Sequence, residues 1–142
     1  MQSDKMPAPV GPYCFGKTIK MPNGSLFGYS SGQLGLDPKT GNLVDGEDKV
    51  VAQTEQILIN LKNLAADNGF DLEKHTVKNT VYLVDMNDFA KVNEVYKKYY
   101  KSEFPARTCI AISALPKGGL VEIESVFFKP GEGGKHGKRH QN

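Results

Sequence analysis

The apolar positions of residues 47–68 recur every three or four residues, the spacing that places side chains on one face of a helix. The stripe consists of Val50, Thr54, Ile57, Leu58, Leu61, Leu64 and Ala65. Asn68-Gly69 follows directly and is a typical helix stop. The pattern therefore predicts an amphipathic helix over residues 47–68.

A second, shorter stripe predicts a helix from residue 88 to about residue 101. Its N-terminus can be capped by Asn87, because a side-chain oxygen at that position can accept a backbone N–H of the first turn. The apolar face consists of Phe89, Val92, Tyr96 and Tyr99.

Five other segments have the alternation, or the β-branched and aromatic content, of strands. They span residues 17–21, 26–31, 76–85, 107–114 and 120–128. Pro22-Asn23-Gly24-Ser25 joins the first two as a hairpin, and residues 32–46 are interpreted as a loop. The order ββαβαββ predicts an α+β fold, a two-layer sandwich with the helices on one face of a mixed sheet.

Period-two alternation assigns faces in the last two strands. In residues 107–114 the bulkier set is Thr108, Ile110, Ile112 and Ala114, and the other set is Arg107, Cys109, Ala111 and Ser113. In residues 120–128 the bulkier set is Val121, Ile123 and Phe127, and the other set is Glu122, Glu124 and Val126. If both bulky sets pack under the helices, Arg107 and Glu122 share the uncovered face of the sheet.

That uncovered face would carry Cys109, Ala111 and Ser113, whose small side chains are poorly suited to water. We expect a second copy of the chain to cover it, with Arg107 and Glu122 in a cleft between subunits. From the residues alone, a cross-strand ion pair is the commoner explanation of an arginine and a glutamate on one sheet face. Both interpretations stay open at this point.

Length and composition fit one globular domain: 142 residues, 39% hydrophobic and 24% charged. We assign the domain to residues 1–129, with residues 1–8 expected to be flexible. The net charge of +2 lies in residues 130–142, a Gly-rich basic tail that we predict to be disordered. The rest of the chain is formally neutral, which gives no support to nucleic-acid binding.

No apolar run approaches the roughly 18 residues of a membrane span, and the first residues lack the apolar core of a signal peptide. A cytoplasmic location is therefore expected. The two cysteines, Cys14 and Cys109, are too few for a disulfide framework and are expected to be thiols.

A series of short motifs, in order over about residues 7–129, resembles the Rid (YjgF) family of reactive intermediate deaminases. The N-terminal half supplies GPY at 11–13, SGQ at 31–33, DPKTG at 37–41 and QT…NLK at 53–62. The C-terminal half supplies VKNTVYL at 77–83, DMNDFA at 85–90 with VN at 92–93, FPAR at 104–107 and LPK…VEIE at 115–124.

This resemblance implies a chorismate-mutase-like fold and a homotrimer with an active site in each subunit interface. It also implies hydrolysis of 2-imino acids, such as 2-iminobutyrate and 2-iminopropionate, to 2-keto acids and ammonia, with no metal and no cofactor. Arg107 matches the arginine that holds the substrate carboxylate, and Glu122 matches the carboxylate that orients a water. Positions lining the same cleft are Tyr13, Ser31 and Asn93, with the backbone at Gly32 and Cys109.

Several of these residues also have structural explanations. Cys109 has no histidine placed to activate it, Tyr13 can simply pack, Asn93 can serve an interface, and Ser31 can cap a turn. The chain departs from the family pattern at Cys14-Phe15, where a Ser-Gln pair is common. We expect Phe15 to change one wall of the cleft and with it the range of substrates.

Two other functions remain open at the level of sequence. One is an endoribonuclease or translation inhibitor, against which the neutral body and the absence of paired catalytic histidines argue. The other is a non-enzymatic trimer that binds small carboxylates.

Overall fold

The computed structural model describes residues 1–131, so the predicted disordered tail lies, from residue 132 onward, outside the described residues. The strands are β1 (Gly16–Lys20), β2 (Leu26–Ser30), β3 (Gln33–Leu34), β4 (Thr76–Leu83), β5 (Ala106–Ala111) and β6 (Val121–Lys129). The helices are α1 (Lys49–Asp67), α2 (Leu72–His75) and α3 (Phe89–Tyr96), with short 3-10 turns at Met86–Asp88 and Pro116–Gly118.

The strands form one mixed sheet with the order β1-β2-β6-β4-β5, and β3 pairs with β6 beside β2. All pairings are antiparallel except that of β4 with β5, which is parallel because α3 connects these two strands. The predicted α+β architecture, with helices on one face of a mixed sheet, is confirmed.

The predicted stripe of α1 is confirmed as the centre of the core. All seven of its residues are buried. They pack with apolar residues of the sheet such as Val81, Leu83, Ile123 and Phe127. The hairpin between β1 and β2 is also confirmed, with Gly24 at φ 86° supplying the left-handed turn residue.

Three local predictions were wrong. Asn87 does not cap the second helix: the carboxylate of Asp85 accepts the Asn87 N–H at 2.9 Å and caps the 3-10 turn instead. The helix ends at Tyr96 rather than near residue 101. The segment interpreted as a loop contains β3, which is too short for alternation to reveal it.

The predicted common face of Arg107 and Glu122 was also wrong. Arg107 pairs with Asn79 of β4, whose side chain is buried under the helices, whereas Glu122 pairs with Tyr82 on the opposite face. Arg107 and Cys109 thus face the helical layer, and Ile110 faces away from it. We had assumed that the bulkier side chains of β5 pack under the helices. That assumption failed because β5 is an edge strand, and in an edge strand side-chain size does not determine which face the helices cover.

The sheet face away from the helices is rich in exposed apolar side chains within the described residues. Ile19, Tyr29 and Ile110 are 51%, 43% and 42% exposed, and Phe27 and Phe128 are in ring contact there, with centroids 4.8 Å apart. We call this surface the open face. No helix among residues 1–131 has the length and hydropathy needed to cross a membrane.

Candidate functional site

A cleft of about 410 Å³ lies at the end of β2 and along β6, on the open face. Four of the predicted site residues line it: Tyr13, Ser31, Gly32 and Glu122. Its remaining lining residues are Val10, Tyr82, Pro116 and Glu124. We call it the glutamate cleft.

Glu122 lies directly against the backbone of Gly32 in this cleft. A Cβ atom added at Gly32 would come within 2.7 Å of the Glu122 carboxyl carbon, so only glycine leaves that carboxylate in place. Partial burial raises the pKa of Glu122, and repulsion from the neighbouring Glu124 carboxylate raises it further. A carboxylate with a raised pKa is a stronger base than one in water, which suits proton transfer near neutral pH.

Tyr82 and Glu124 also line the glutamate cleft, and neither was among the predicted site residues. The Tyr82 hydroxyl donates a hydrogen bond to the Glu124 carboxylate. This bond, followed by burial, raises the pKa of Tyr82 to about 12, so the phenol stays protonated. The sequence offered one indication for Glu124: it stands two residues after Glu122 in a strand and therefore lies on the same face of the sheet.

Ser31 and Tyr13 are held in place by local hydrogen bonds. The Ser31 hydroxyl donates to the Cys14 carbonyl at 2.7 Å, and the Ser31 N–H donates to the Phe15 carbonyl at 2.8 Å. The Tyr13 hydroxyl accepts the Val10 N–H at 3.3 Å. Ser31 thus ties the segment after GPY to the end of β2, and both hydroxyl oxygens can still accept a hydrogen bond from a ligand.

A second cleft, of about 320 Å³, lies at the other edge of the sheet. It contains the predicted residues Arg107 and Asn93, and its other lining residues are Glu94, Tyr96, Lys97, Phe104 and Pro105. We call it the arginine cleft. The structure therefore divides six of the seven predicted site residues between two clefts of one protomer.

The guanidinium of Arg107 rests on aromatic rings rather than on a carboxylate. Its central carbon lies 4.8 Å from the centroid of Tyr96 and 5.4 Å from that of Phe89. The four ion pairs found among residues 1–131 do not include Arg107. Its positive charge can therefore bind an anion that comes from outside the protomer.

Cys109 lines neither cleft. It is partly buried and packs against the core, and burial raises the pKa of its thiol in spite of the nearby Arg107. A thiol with a raised pKa is a poor nucleophile.

The two clefts are chemically complementary. One offers a cation with several N–H donors, and the other offers a basic carboxylate beside hydroxyl groups. No group of three or more His, Cys, Asp or Glu side chains suited to a metal ion occurs in the described part of the chain. A small molecule with an anionic end and an electrophilic carbon would find a partner for each end only if the two clefts met.

Comparison with known proteins places these residues in a family context. A family model described as endoribonuclease L-PSP matches residues 4–127. A RutC family protein of Pyrococcus horikoshii is 44% identical over 127 residues, which are 89% of this chain and 94% of that protein. The 2-iminobutanoate/2-iminopropanoate deaminase of Homo sapiens is 43% identical over 125 residues, which are 88% and 85% of the two chains.

Solved structures with the same fold are also similar in sequence. RidA from an Antarctic Psychrobacter species is 42% identical with a TM-score of 0.79, covering 90% of this chain and 97% of that one. The YjgF gene product of E. coli is 35% identical with a TM-score of 0.76, covering 89% and 95%.

Proposed function

Because the chain belongs to the Rid (YjgF) family, whose model is described as endoribonuclease L-PSP, we propose that it hydrolyses reactive 2-imino acids, and the enamines that give rise to them, to 2-keto acids and ammonia. The expected substrates are 2-iminobutyrate and 2-iminopropionate. Relatives named 2-iminobutanoate/2-iminopropanoate deaminase, at 43–45% identity, support this choice.

The observation that carries the proposal is the pair of incomplete clefts. Arg107 and Glu122 lie on opposite faces of the sheet. Their strands, β5 and β6, flank β4, and their paired neighbours in β4, Asn79 and Tyr82, are three residues apart. At strand spacings of about 4.8 Å and rises of about 3.3 Å per residue, each offset is about 10 Å. One protomer therefore cannot place both side chains on one small substrate, whereas two copies can combine the arginine cleft of one with the glutamate cleft of the other.

We propose a homotrimer in which each interface completes one such site. The exposed apolar residues of the open face support association, because a surface of this kind is usually covered in the working protein. A closed ring of three copies would pair every arginine cleft with a neighbour's glutamate cleft. This replaces the earlier expectation that one uncovered face carries both residues.

Arg107 binds the carboxylate of the substrate in the proposed reaction. A planar guanidinium can hold a carboxylate through two parallel hydrogen bonds, which fixes the orientation of the adjacent C=N carbon. Asn93, half-buried in the same cleft, is placed to add a further contact. The backbone of β5, including Cys109, is at a sheet edge and can contribute N–H or C=O groups.

Glu122 supplies the base. It takes a proton from a water molecule whose oxygen attacks the carbon of the protonated imine, giving a tetrahedral aminoalcohol. Glu122 then gives that proton to the nitrogen and takes the proton of the new hydroxyl group, so that the C=O bond forms as the C–N bond breaks and ammonia leaves. Ammonia takes the last proton as ammonium, which returns Glu122 to its ionised form. General-base catalysis of this kind contributes about 10² to 10⁴ in rate, and fixing the substrate supplies much of the rest.

The test is turnover of freshly generated 2-iminobutyrate by the purified protein. We expect faster release of 2-ketobutyrate, loss of that activity in Arg107→Ala, and partial activity in Arg107→Lys, which keeps the charge but not the planar fork. Full activity of Arg107→Ala in an intact oligomer would contradict the mechanism.

The same preparations separate the other functions. Cleavage of single-stranded RNA that is lost with a point mutation would indicate the endoribonuclease of the family description. Binding of 2-ketobutyrate without turnover of the imine would indicate a carboxylate-binding protein that is not an enzyme.

A further inference from the structure

The guanidinium of Arg107 is supported by two rings of a single short helix. Phe89 and Tyr96 are the first and last residues of α3 and lie two turns apart on one face. A cation over an aromatic ring is attracted by the negative charge of the ring face. Because this attraction does not use up the N–H donors as an ion pair would, it can hold the arginine and still leave it able to bind an anion.

Tyr96 is itself fixed by a buried hydrogen-bond chain. Its hydroxyl accepts a hydrogen bond from the side-chain amide of Asn79 at 2.9 Å. The Asn79 carbonyl oxygen accepts the Ser125 hydroxyl at 2.5 Å, and the Ser125 N–H donates to the Ser30 hydroxyl at 2.9 Å. Rotation of the Tyr96 ring would leave the fully buried Asn79 with an unsatisfied donor, which is costly.

The register of the sheet brings this anchor next to the arginine. Asn79 of β4 is the paired neighbour of Arg107 in β5, so the fixed amide and the guanidinium occupy adjacent strands on the same face. The buried amide of Asn79 contacts the hydroxyl of Tyr96, and the guanidinium of Arg107 lies over the face of the same ring. The order of contacts is therefore Asn79, Tyr96, Arg107.

We propose that Tyr96, together with Phe89, is a positioning residue that holds the Arg107 guanidinium ready for the carboxylate of a small 2-imino or 2-keto acid, and that Asn79 fixes Tyr96 in that position. The carboxylate-binding part of this inference rests on the proposed function. We call the two rings, Tyr96 and Phe89, the aromatic platform. A guanidinium that is already oriented loses less conformational freedom when the acid binds. The platform should therefore lower the dissociation constant of the acid more than it raises the rate of the chemical step.

The platform can be tested without any ligand, because the chain has two arginines and the Arg107 signal is the one missing from Arg107→Lys. Protons held over ring faces resonate upfield, so the side-chain Nε–H signal of Arg107 in a ¹⁵N-labelled protein should lie upfield of its position in the protein unfolded in urea. Tyr96→Leu and Phe89→Leu should each move the Arg107 signal toward the unfolded position. Tyr96→Phe keeps the ring but removes the hydroxyl that Asn79 holds, so its Arg107 signal should lie between those of the unchanged protein and Tyr96→Leu.

Phe70→Leu is the matched control. Phe70 is a buried aromatic residue of the core whose ring contacts are with Phe127 and His75 rather than with Tyr96 or Phe89. Phe70→Leu should lower the thermal midpoint about as much as Tyr96→Leu and leave the Arg107 signal in place. Phe89 is 39% exposed, so Phe89→Leu tests the platform even if Tyr96→Leu folds poorly.

The second arm measures binding of 2-ketobutyrate by calorimetry and KM for the imine. We expect Tyr96→Leu and Phe89→Leu to raise the dissociation constant of 2-ketobutyrate and the KM for the imine about threefold to tenfold, with little change in kcat. This is the effect expected for the loss of one cation–π contact that is partly shielded from water. A protein that binds 2-ketobutyrate but turns over no imine would refute the proposed function and leave this inference standing.

Two results overturn the inference. One is an Arg107 signal that lies at the unfolded position in the unchanged, folded protein, or that does not move in Tyr96→Leu and Phe89→Leu. The other is a signal that moves while the affinity for 2-ketobutyrate stays within experimental error of the unchanged protein, or a protein that does not bind 2-ketobutyrate at all.

Discussion

At the scale of single residues, the surroundings of Glu122 decide the pH range of the proposed reaction. Glu122 must be ionised to accept a proton from water. Because burial and Glu124 raise its pKa above the ordinary 4.5, the rate should fall on acidification at a higher pH than for an ordinary glutamate. The acid limb of kcat/KM reports this group in the free enzyme.

Replacing Glu124 with glutamine removes the like charge beside Glu122. The pKa of Glu122 should then be lower than in the unchanged protein, so we expect the acid limb of the pH profile of kcat/KM to move to lower pH. Glu55→Gln, a change on the helical side of the fold, should leave the profile unmoved. An acid limb that stays in place, or moves upward, in Glu124→Gln would contradict this electrostatic account.

Gly32 offers a geometric test of the same carboxylate. An alanine there would put its Cβ within 2.7 Å of the Glu122 carboxyl carbon, so the side chain must swing aside. We expect turnover to fall about 10-fold to 100-fold, the effect of a displacement of about 1 Å, with little change in the thermal midpoint because the carboxylate end is flexible.

Gly46→Ala is a control for the substitution itself. A Cβ at Gly46 would meet Ala52 at 2.9 Å, a similarly close contact between residues that do not line the glutamate cleft. It should keep full activity. Unchanged turnover in Gly32→Ala would show that the position of Glu122 seen here is not the working one.

At the scale of elements, the segment that leads into β5 depends on one carboxylate of α2. Glu73 accepts the N–H groups of Lys101 and Ser102, both at 2.7 Å, and that of Glu103 at 3.3 Å. These bonds hold the pKa of Glu73 below its ordinary value of 4.5. A lowered pKa in the folded state means that the ionised form stabilises the fold above the unfolded pKa and that this contribution is lost as pH falls through the folded value.

Glu73→Gln should therefore lower the midpoint of urea unfolding at pH 7, and the difference from the unchanged protein should shrink below about pH 4.5, the ordinary value for Glu73. Glutamine keeps an acceptor oxygen, so the comparison isolates the charge. Glu103→Gln, which removes an exposed negative charge in the same segment, is the control and should lower the midpoint at pH 7 less than Glu73→Gln does. A difference that grows on acidification would reverse the assigned role of Glu73.

Element-level prediction from sequence succeeded where one face of an element is buried. The stripe of α1 was predictable because every third or fourth side chain enters the core. The face of Arg107 was not, because β5 is an edge strand whose alternation yields two sets without indicating which one meets the helices. Only the register, Asn79 with Arg107 and Tyr82 with Glu122, decides that question.

The sequence motifs gave a set of candidate site residues but not their arrangement in space. The family motifs identified Arg107, Glu122 and their neighbours, yet no sequence pattern showed that they divide between two clefts. Phe89 and Tyr96 were assigned to an apolar stripe, since an aromatic residue that supports a cation has the same helical spacing as one that fills a core.

At the scale of the whole molecule, the proposed reaction requires association, because its two side chains lie in separate clefts. Arg107 and Glu122 are each present in every protomer, but in clefts on opposite faces of the sheet. We therefore expect the protein to sediment as a species of about three times 15.6 kDa, with no activity attributable to a single protomer.

Complementation between two inactive variants tests the composite site most directly. Arg107→Ala and Glu122→Gln chains are co-expressed with different affinity tags, and oligomers that carry both tags are isolated and assayed with 2-iminobutyrate. In any mixed ring of three, one interface joins an intact Arg107 to an intact Glu122, so we predict about one third of the unchanged activity. Mixed oligomers as inactive as the two parents would contradict a site shared between subunits.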